Sequence, residues 1–273
     1  MSFRQSHSLA ATSLMTTSLI SLTKPITPNT LKIIRNILKS NSYAGNVPIT
    51  GTTPKSRNAA VLIPFCNVGG EPGILLEVRA KALRSHSGEI SFPGGRIDET
   101  DESLVHGALR ETHEELGIDP GRIEVLGEIG PSEMNLRGDM RVWPFVGFVH
   151  SSDEGEITGD QPFPSLDLEV LREQASPAEV ATAIHLPLKR FVSSRQVRRS
   201  MFRSSEPYWA IDVTDIVKPL LGVDAVAGKT AEEDVKDEVG PGVGGRIEVW
   251  GLTGWYLSLL MKALKVEYID SKS

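Results

Sequence analysis

Apolar and polar positions along the chain follow two periods. From Thr30 to Ser40 (TLKIIRNILKS) the apolar residues fall at 31, 33, 34, 37 and 38. That is the spacing of an amphipathic helix, and Thr30 can cap it. Residues 59–65 (AAVLIPF) and 74–80 (ILLEVRA) are apolar runs of strand length, and the breaker-rich stretch 67–73 between them predicts a hairpin. Residues 103–116 predict a helix, closed by Gly117 where a glycine usually ends one. Further strands are expected over 123–129, 142–150 and 207–213, with helices over 177–192 and 253–264. There is no internal repeat. Strands joined by short turns and mixed with a few helices predict an α+β domain or a helix-flanked sandwich.

Other segments lack either period. Residues 41–57 are rich in Gly, Pro and Thr and predict a linker. Residues 151–176 hold seven acids against one base, and residues 221–245 hold six acids against two lysines. Both are expected to be solvated, mobile insertions. Residues 1–28 are rich in Ser and Thr, carry only Arg4 and Lys24 as charges, and contain no acid. They read as an organelle transit peptide or as a tail without an address, leaving 29–270 as the domain. The transit reading makes a mitochondrial location the expectation, with peroxisomal and cytoplasmic locations as alternatives. Ser271-Lys272-Ser273 comes close to the peroxisomal S-K-L address but lacks its Leu.

Composition removes several function classes. The net charge of -6 argues against a protein that coats nucleic acid. The imbalance is local, because residues 1–70 carry seven Lys/Arg and no acid. No apolar run of 18 residues exists, so neither a membrane helix nor a membrane partner is expected. A single cysteine, Cys66, excludes an intramolecular disulfide framework and a Cys-based zinc site. It reads as a buried thiol.

The chemistry is concentrated on the helix over 103–116. With Glu111 set at zero, Glu114 lies at about -60° and Glu115 at about +40° around the axis. Val105, Ala108, Leu109 and Leu116 form an apolar stripe beside them. Three carboxylates so placed repel one another unless a cation sits among them. Oxygen-only donors favour Mg²⁺ or Mn²⁺, and such ions suit phosphate substrates. The bland alternative is a solvated acidic face. Arg110 flanks the cluster and could pair with Glu102. Upstream, Phe92-Pro93-Gly94-Gly95 makes a bend suited to glycine, where a backbone carbonyl such as that of Gly94 could be a further metal ligand.

Together these residues resemble the Nudix box, G-x5-E-x7-R-E-U-x-E-E-x-G-U with U aliphatic. Glu102, Arg110, Glu111, Glu114, Glu115, Gly117 and Ile118 match its spacing. Two departures stand out. Six residues rather than five separate Gly95 from Glu102, and Thr112 replaces the aliphatic residue. A second signature lies upstream. Coenzyme A-type Nudix hydrolases carry roughly L-L-T-x-R-S/A-x3-R-x3-G-x3-F-P-G-G. This chain has Leu75, Leu76, Arg79, Ala80, Arg84, Gly88 and Phe92-Pro93-Gly94-Gly95 at that spacing, with Glu77 in place of Thr. Val249-Trp250-Gly251-Leu252-Thr253 is similar to a late W-G-x-T element of the same branch.

The resemblance implies a Nudix fold, a mixed β-sheet sandwiched between α-helices. It implies Mg²⁺- or Mn²⁺-dependent hydrolysis of the diphosphate of coenzyme A or acyl-CoA, yielding 3′,5′-ADP and (acyl) 4′-phosphopantetheine. Glu111 and Glu115 are the expected metal ligands, with Glu114 as ligand or water-orienting base and Arg110 and Glu102 beside them. Arg79, Arg84 and His86 are expected to contact substrate phosphate. A base from outside the box could be Glu133, Glu169 or Glu179. His106 and His113 lie away from the acids. Arg195, Arg198, Arg199 and Arg203 form a basic cluster that could contact phosphate or offset the acidic segments. Alternative functions are hydrolysis of an oxidised nucleoside triphosphate, a dinucleotide or ADP-ribose, or binding without catalysis on the same scaffold.

Overall fold

In β1 (Asn58–Val68) the side chains alternate between two buried layers. Ala60, Leu62 and Cys66 enter one core, while Ala59, Ile63 and Phe65 enter the other. A strand buried on both faces must lie inside a sheet covered on both sides, and β1 does. The computed structural model describes residues 18–40, 57–83, 86–151, 155–222 and 245–267.

β1 pairs antiparallel with β2 (Glu71–Arg79) through the expected hairpin, and parallel with β7 (Arg141–Val149). The main sheet runs β3 (Ile90–Ser91), β2, β1, β7, β5 (Ile123–Glu128). β4 (Gly94–Arg96) adds to β1, β6 (Glu133–Met134) to β7, and β8 (Val180–Pro187) to β2. The sheet is therefore mixed. One face carries α2 (Leu104–Leu116) and α3 (Leu168–Gln174); the other carries α1 (Pro28–Ser40) and α5 (Gly251–Ala263). A small antiparallel sheet of β9 (Val197–Phe202), β10 (Glu206–Asp212) and β11 (Glu248–Val249), with α4 (Thr214–Leu221), extends the α5 side. This is the expected α+β sandwich. Among the described residues, no helix is long and apolar enough to cross a membrane.

Three expectations are corrected. Residues 177–192 are not a helix. Val180, Thr182 and Ile184 place β-branched side chains at every second position, and the segment pairs along β2 from Gly73 to Arg79. Leu188–Val192 then makes a short 3-10 turn. Residues 155–176 are mostly exposed, as expected, but they are anchored rather than loose. Phe163, Leu166 and Leu171 are buried, and the buried Asn67 amide donates to the Phe163 carbonyl at 3.0 Å. Asp167 caps α3 by accepting from the Glu169 and Val170 amides. Finally, the domain begins before residue 29. Ile20 and Ile26 are buried in the α1–α5 core, and the Ile26 amide donates to Asn67 Oδ1 at 2.7 Å. The linker expected over 41–57 lies outside the described residues apart from Arg57, and the second acidic insertion lies outside them over 223–244.

The late Trp250-Gly251 element has a structural role. Gly251 opens α5 with a positive φ of 59°, and its amide donates to the Tyr208 hydroxyl at 3.1 Å. From α5 the buried Tyr256 hydroxyl donates to the Val142 carbonyl at 2.9 Å, fixing the helix to β7.

Candidate active site

α2 is set by its two ends. The Ser103 side chain accepts from the His106 amide, and Gly117 closes the helix at φ 68° by donating to the His113 carbonyl. Between them Ala108, Thr112 and Leu116 are buried, so the helix rests on the sheet along that stripe. Thr112, the unexpected hydroxyl, is fully buried and donates back to the Ala108 carbonyl at 2.7 Å. A polar atom at a packing position is thus satisfied within the helix itself.

This seating turns the carboxylates toward the Gly-rich bend. The Gly94 amide donates to Glu115 Oε2 at 2.7 Å. A Cβ on Gly95 would lie 2.5 Å from the Glu111 carboxylate, so a larger residue there would push that side chain off its present position. Glu115 is buried, Glu111 is largely covered, and Glu114 is exposed. Burial pushes the Glu111 and Glu115 carboxyls up, and for Glu115 the nearby Glu77 adds to the rise.

Arg110 organises the outer side. Its Nε and Nη2 each donate to an Asp101 oxygen at 3.0 Å, and Nη2 also reaches the Arg96 carbonyl. Its Nη1 lies 3.0 Å from both Glu111 Oε1 and Glu114 Oε2. The expected pairing with Glu102 is therefore corrected: Glu102 is exposed, and the fully buried acid that fixes Arg110 is Asp101. Asp101 follows Gly95 after five residues, so the extra residue of the box falls between this acid and Arg110. Burial opposes the Asp101 charge, but Arg110 outweighs it and holds the carboxyl below its ordinary range.

The strand side contributes residues that sequence reasoning placed differently or missed. Arg79, expected on phosphate, instead lies with Nη1 at 3.3 Å from Glu77 Oε1 and 3.7 Å from Glu115 Oε1. Glu77, noted only as a departure from Thr, is fully buried and also accepts from the Ser91 hydroxyl at 2.9 Å. Of the three outside acids, only Glu179 stands close enough to raise the carboxyls of Glu77 and Glu111. Glu133 pairs with Arg203, and Glu169 pairs with Arg172. His86 is half exposed, adopts a positive φ of 55° and pairs with Glu89 at 2.8 Å. Arg84 lies outside the described residues. Arg198 is bound to the buried Glu248, so this member of the basic cluster is structural. His106 contacts Asp101, and His113 Nδ1 lies 3.2 Å from the Ile118 carbonyl.

The donor set fits a hard divalent ion. It consists of carboxylates, two of them buried, whose raised pKa values mark charge that the fold alone does not fully compensate. Among the described residues, no three His, Cys, Asp or Glu side chains are already drawn around one point. Arg79 and Arg110 supply the local positive charge.

A protein-family model described as NUDIX domain matches residues 56–191, which take in β1 through β8 and most of the 3-10 turn after it. The chain is 43% identical over 104 residues to the uncharacterized Nudix hydrolase NudL of Enterobacter sp. (strain 638), covering 36% of this chain and 53% of that protein. It is 39% identical over 132 residues to the protein of the same description in Cronobacter sakazakii (strain ATCC BAA-894), covering 48% and 58%. The chain thus spans just over half the length of these relatives. Among solved structures it is similar to a C. elegans Ap4A hydrolase, with 17% identity, a TM-score of 0.34, and 48% of this chain and 80% of that one covered.

Proposed function

We propose that the chain is a divalent-metal-dependent hydrolase of diphosphate bonds, as the match of residues 56–191 to the NUDIX-domain model suggests, and that its substrate is coenzyme A or an acyl-CoA. The observation that carries the hydrolase reading is the seating of Glu111 and Glu115 against the Gly94-Gly95 bend, with Arg110 locked on Asp101. A scaffold kept only for binding has no need of this buried, mutually repelling acid set. The substrate reading rests on the upstream signature, Leu75-Leu76, Arg79, Gly88 and Phe92-Pro93-Gly94, which precedes the general box that opens at Gly95.

The residues divide the work. Glu111 and Glu115 would hold Mg²⁺ or Mn²⁺, joined by Glu114 from the exposed side of α2. When bound, such an ion neutralises the diphosphate oxygens and activates the attacking water. Arg110 orients Glu111 and Glu114 at one nitrogen while Asp101 and the Arg96 carbonyl fix its guanidinium. Glu179 or Glu114 would accept the water's proton. His86 is half exposed, and its hydrogen bond to Glu89 raises its pKa; it would contact a substrate phosphate.

A substrate panel with Mg²⁺ and with Mn²⁺, read by product mass, tests the proposal. Coenzyme A should yield 3′,5′-ADP and 4′-phosphopantetheine. Cleavage of a nucleoside triphosphate, dinucleotide or ADP-ribose without cleavage of coenzyme A would overturn the substrate reading and leave the hydrolase reading.

A further inference from the structure

We propose that Glu77, a strand residue outside the helical acid motif, is an additional carboxylate ligand of the divalent cation, and that Arg79 is the cation's internal stand-in. This rests on the metal-dependent reading above. Side-chain parity places Glu77 on the correct face. Leu76 and Val78 enter the α1–α5 core, whereas Leu75 enters the α2 core. Leu75, Glu77 and Arg79 therefore share the face of β2 that meets α2.

Glu77 is fully buried, and its two oxygens are treated differently. Oε1 accepts from the Ser91 hydroxyl at 2.9 Å and from Arg79 at 3.3 Å. Oε2 is buried with no hydrogen-bond partner. An unpaired carboxylate oxygen in the interior is destabilising, and an apolar or hydroxyl side chain would avoid it. The similar coenzyme A-type signature places Thr at this position. The carboxylate has a use if its free oxygen meets a ligand that the folded chain alone does not contain.

Arg79 shows what that ligand would replace. One guanidinium nitrogen stands between Glu77 Oε1 and Glu115 Oε1, at 3.3 Å and 3.7 Å. The second contact is long for a charge-assisted hydrogen bond. The Arg79 Nε is itself buried without a partner. A single positive charge is thus loosely shared by two buried carboxylates. A divalent ion matches that pair better in charge and accepts oxygen donors from several directions. Glu77 would hold it from a rigid strand while Glu111 and Glu115 hold it from α2. Donors on two packed elements fix a site more firmly than one helix face does.

Mn²⁺ titration of the full chain without substrate, followed by electron paramagnetic resonance and by water-proton relaxation, tests this. Glu77→Gln should weaken Mn²⁺ binding at least about tenfold, and the bound ion should gain one exchangeable water where the carboxylate was. Glu77→Asp keeps the charge but draws it back, so it should fall between the two and serves if the Gln variant does not fold. Arg79→Gln should tighten binding several-fold, because the competing cation is gone. Unchanged affinity in the Glu77 variants overturns the inference. So does weakened affinity with unchanged hydration, which would mean that Glu77 acts through charge alone. If Glu111→Gln weakens Mn²⁺ binding and the Glu77 variants do not, this inference fails while the hydrolase reading stands. If the intact chain binds no Mn²⁺, the hydrolase reading fails as well.

Discussion

The backbone amide of Gly94 donates to Oε2 of Glu115 at 2.7 Å, tying the first residue of β4 to the last turn of α2. The contact depends on glycine twice over. Gly94 has φ 142°, and a Cβ there would lie 2.3 Å from the Ala60 carbonyl oxygen of β1. Gly94→Ala should therefore lose at least about 2 kcal/mol of stability. The bend should also move off Glu115, with activity falling together with it. Denaturant unfolding and turnover measured on one preparation check this, and wild-type stability would contradict it.

Asp101, not Glu102, should be the acid that Arg110 needs. Asp101→Asn removes the charge from a fully buried, doubly bonded partner and should lose about 2 kcal/mol. Glu102→Gln alters an exposed side chain and should stay within about 0.5 kcal/mol of wild type. Thermal melts and kcat of the two variants decide between the neighbours. Equal losses would undo the assignment.

The box helix was legible in the sequence because its apolar stripe and its closing glycine, Gly117, are local signals. The identity of Arg110's partner was not. It depends on how the loop from Gly95 folds, and one inserted residue exchanges Asp101 for Glu102. Glu77 was hidden for a different reason. A lone acid in an apolar strand carries no spacing signal, and its meaning emerges only when β2 and α2 face each other. β8 was read as a helix because its partner, β2, lies about a hundred residues earlier in sequence. The segment around Phe163 lacked periodicity because Asn67 and Ile26, rather than its own repeat, hold it in place.

Ile20 and Ile26 should be needed for the stability of the domain. A chain lacking residues 1–27 exposes the surface that they cover. Each buried Ile contributes on the order of 2–5 kcal/mol, so the truncated chain should melt well below the full-length one. Identical melting curves would contradict this packing.

His185 should make stability fall as the solution is acidified. Burial holds its imidazole down to about 4, and its Nε2 has no hydrogen-bond partner. The unfolded chain, with an ordinary His pKa of about 6.5, therefore binds the proton first. Stability is intact above pH ~6.5 and is lost progressively toward pH ~4, by up to about 3 kcal/mol. The buried acids with raised pKa values act in the opposite direction, so the readout is the difference between wild type and His185→Leu. The Leu variant should lose less stability over that interval in urea melts at several pH values. Parallel profiles would show that His185 does not carry the dependence.

The most direct test of the account is the metal-dependent turnover of Glu115→Gln on coenzyme A. The substitution keeps the shape of the side chain and removes one carboxylate charge from beside the Gly94 amide. If Glu115 holds the catalytic ion, kcat should fall at least about a hundredfold, or roughly 3 kcal/mol, while the metal-free protein remains folded and at least as stable. Near-wild-type turnover in a folded Glu115→Gln protein would contradict the claim that this helix carries the metal centre.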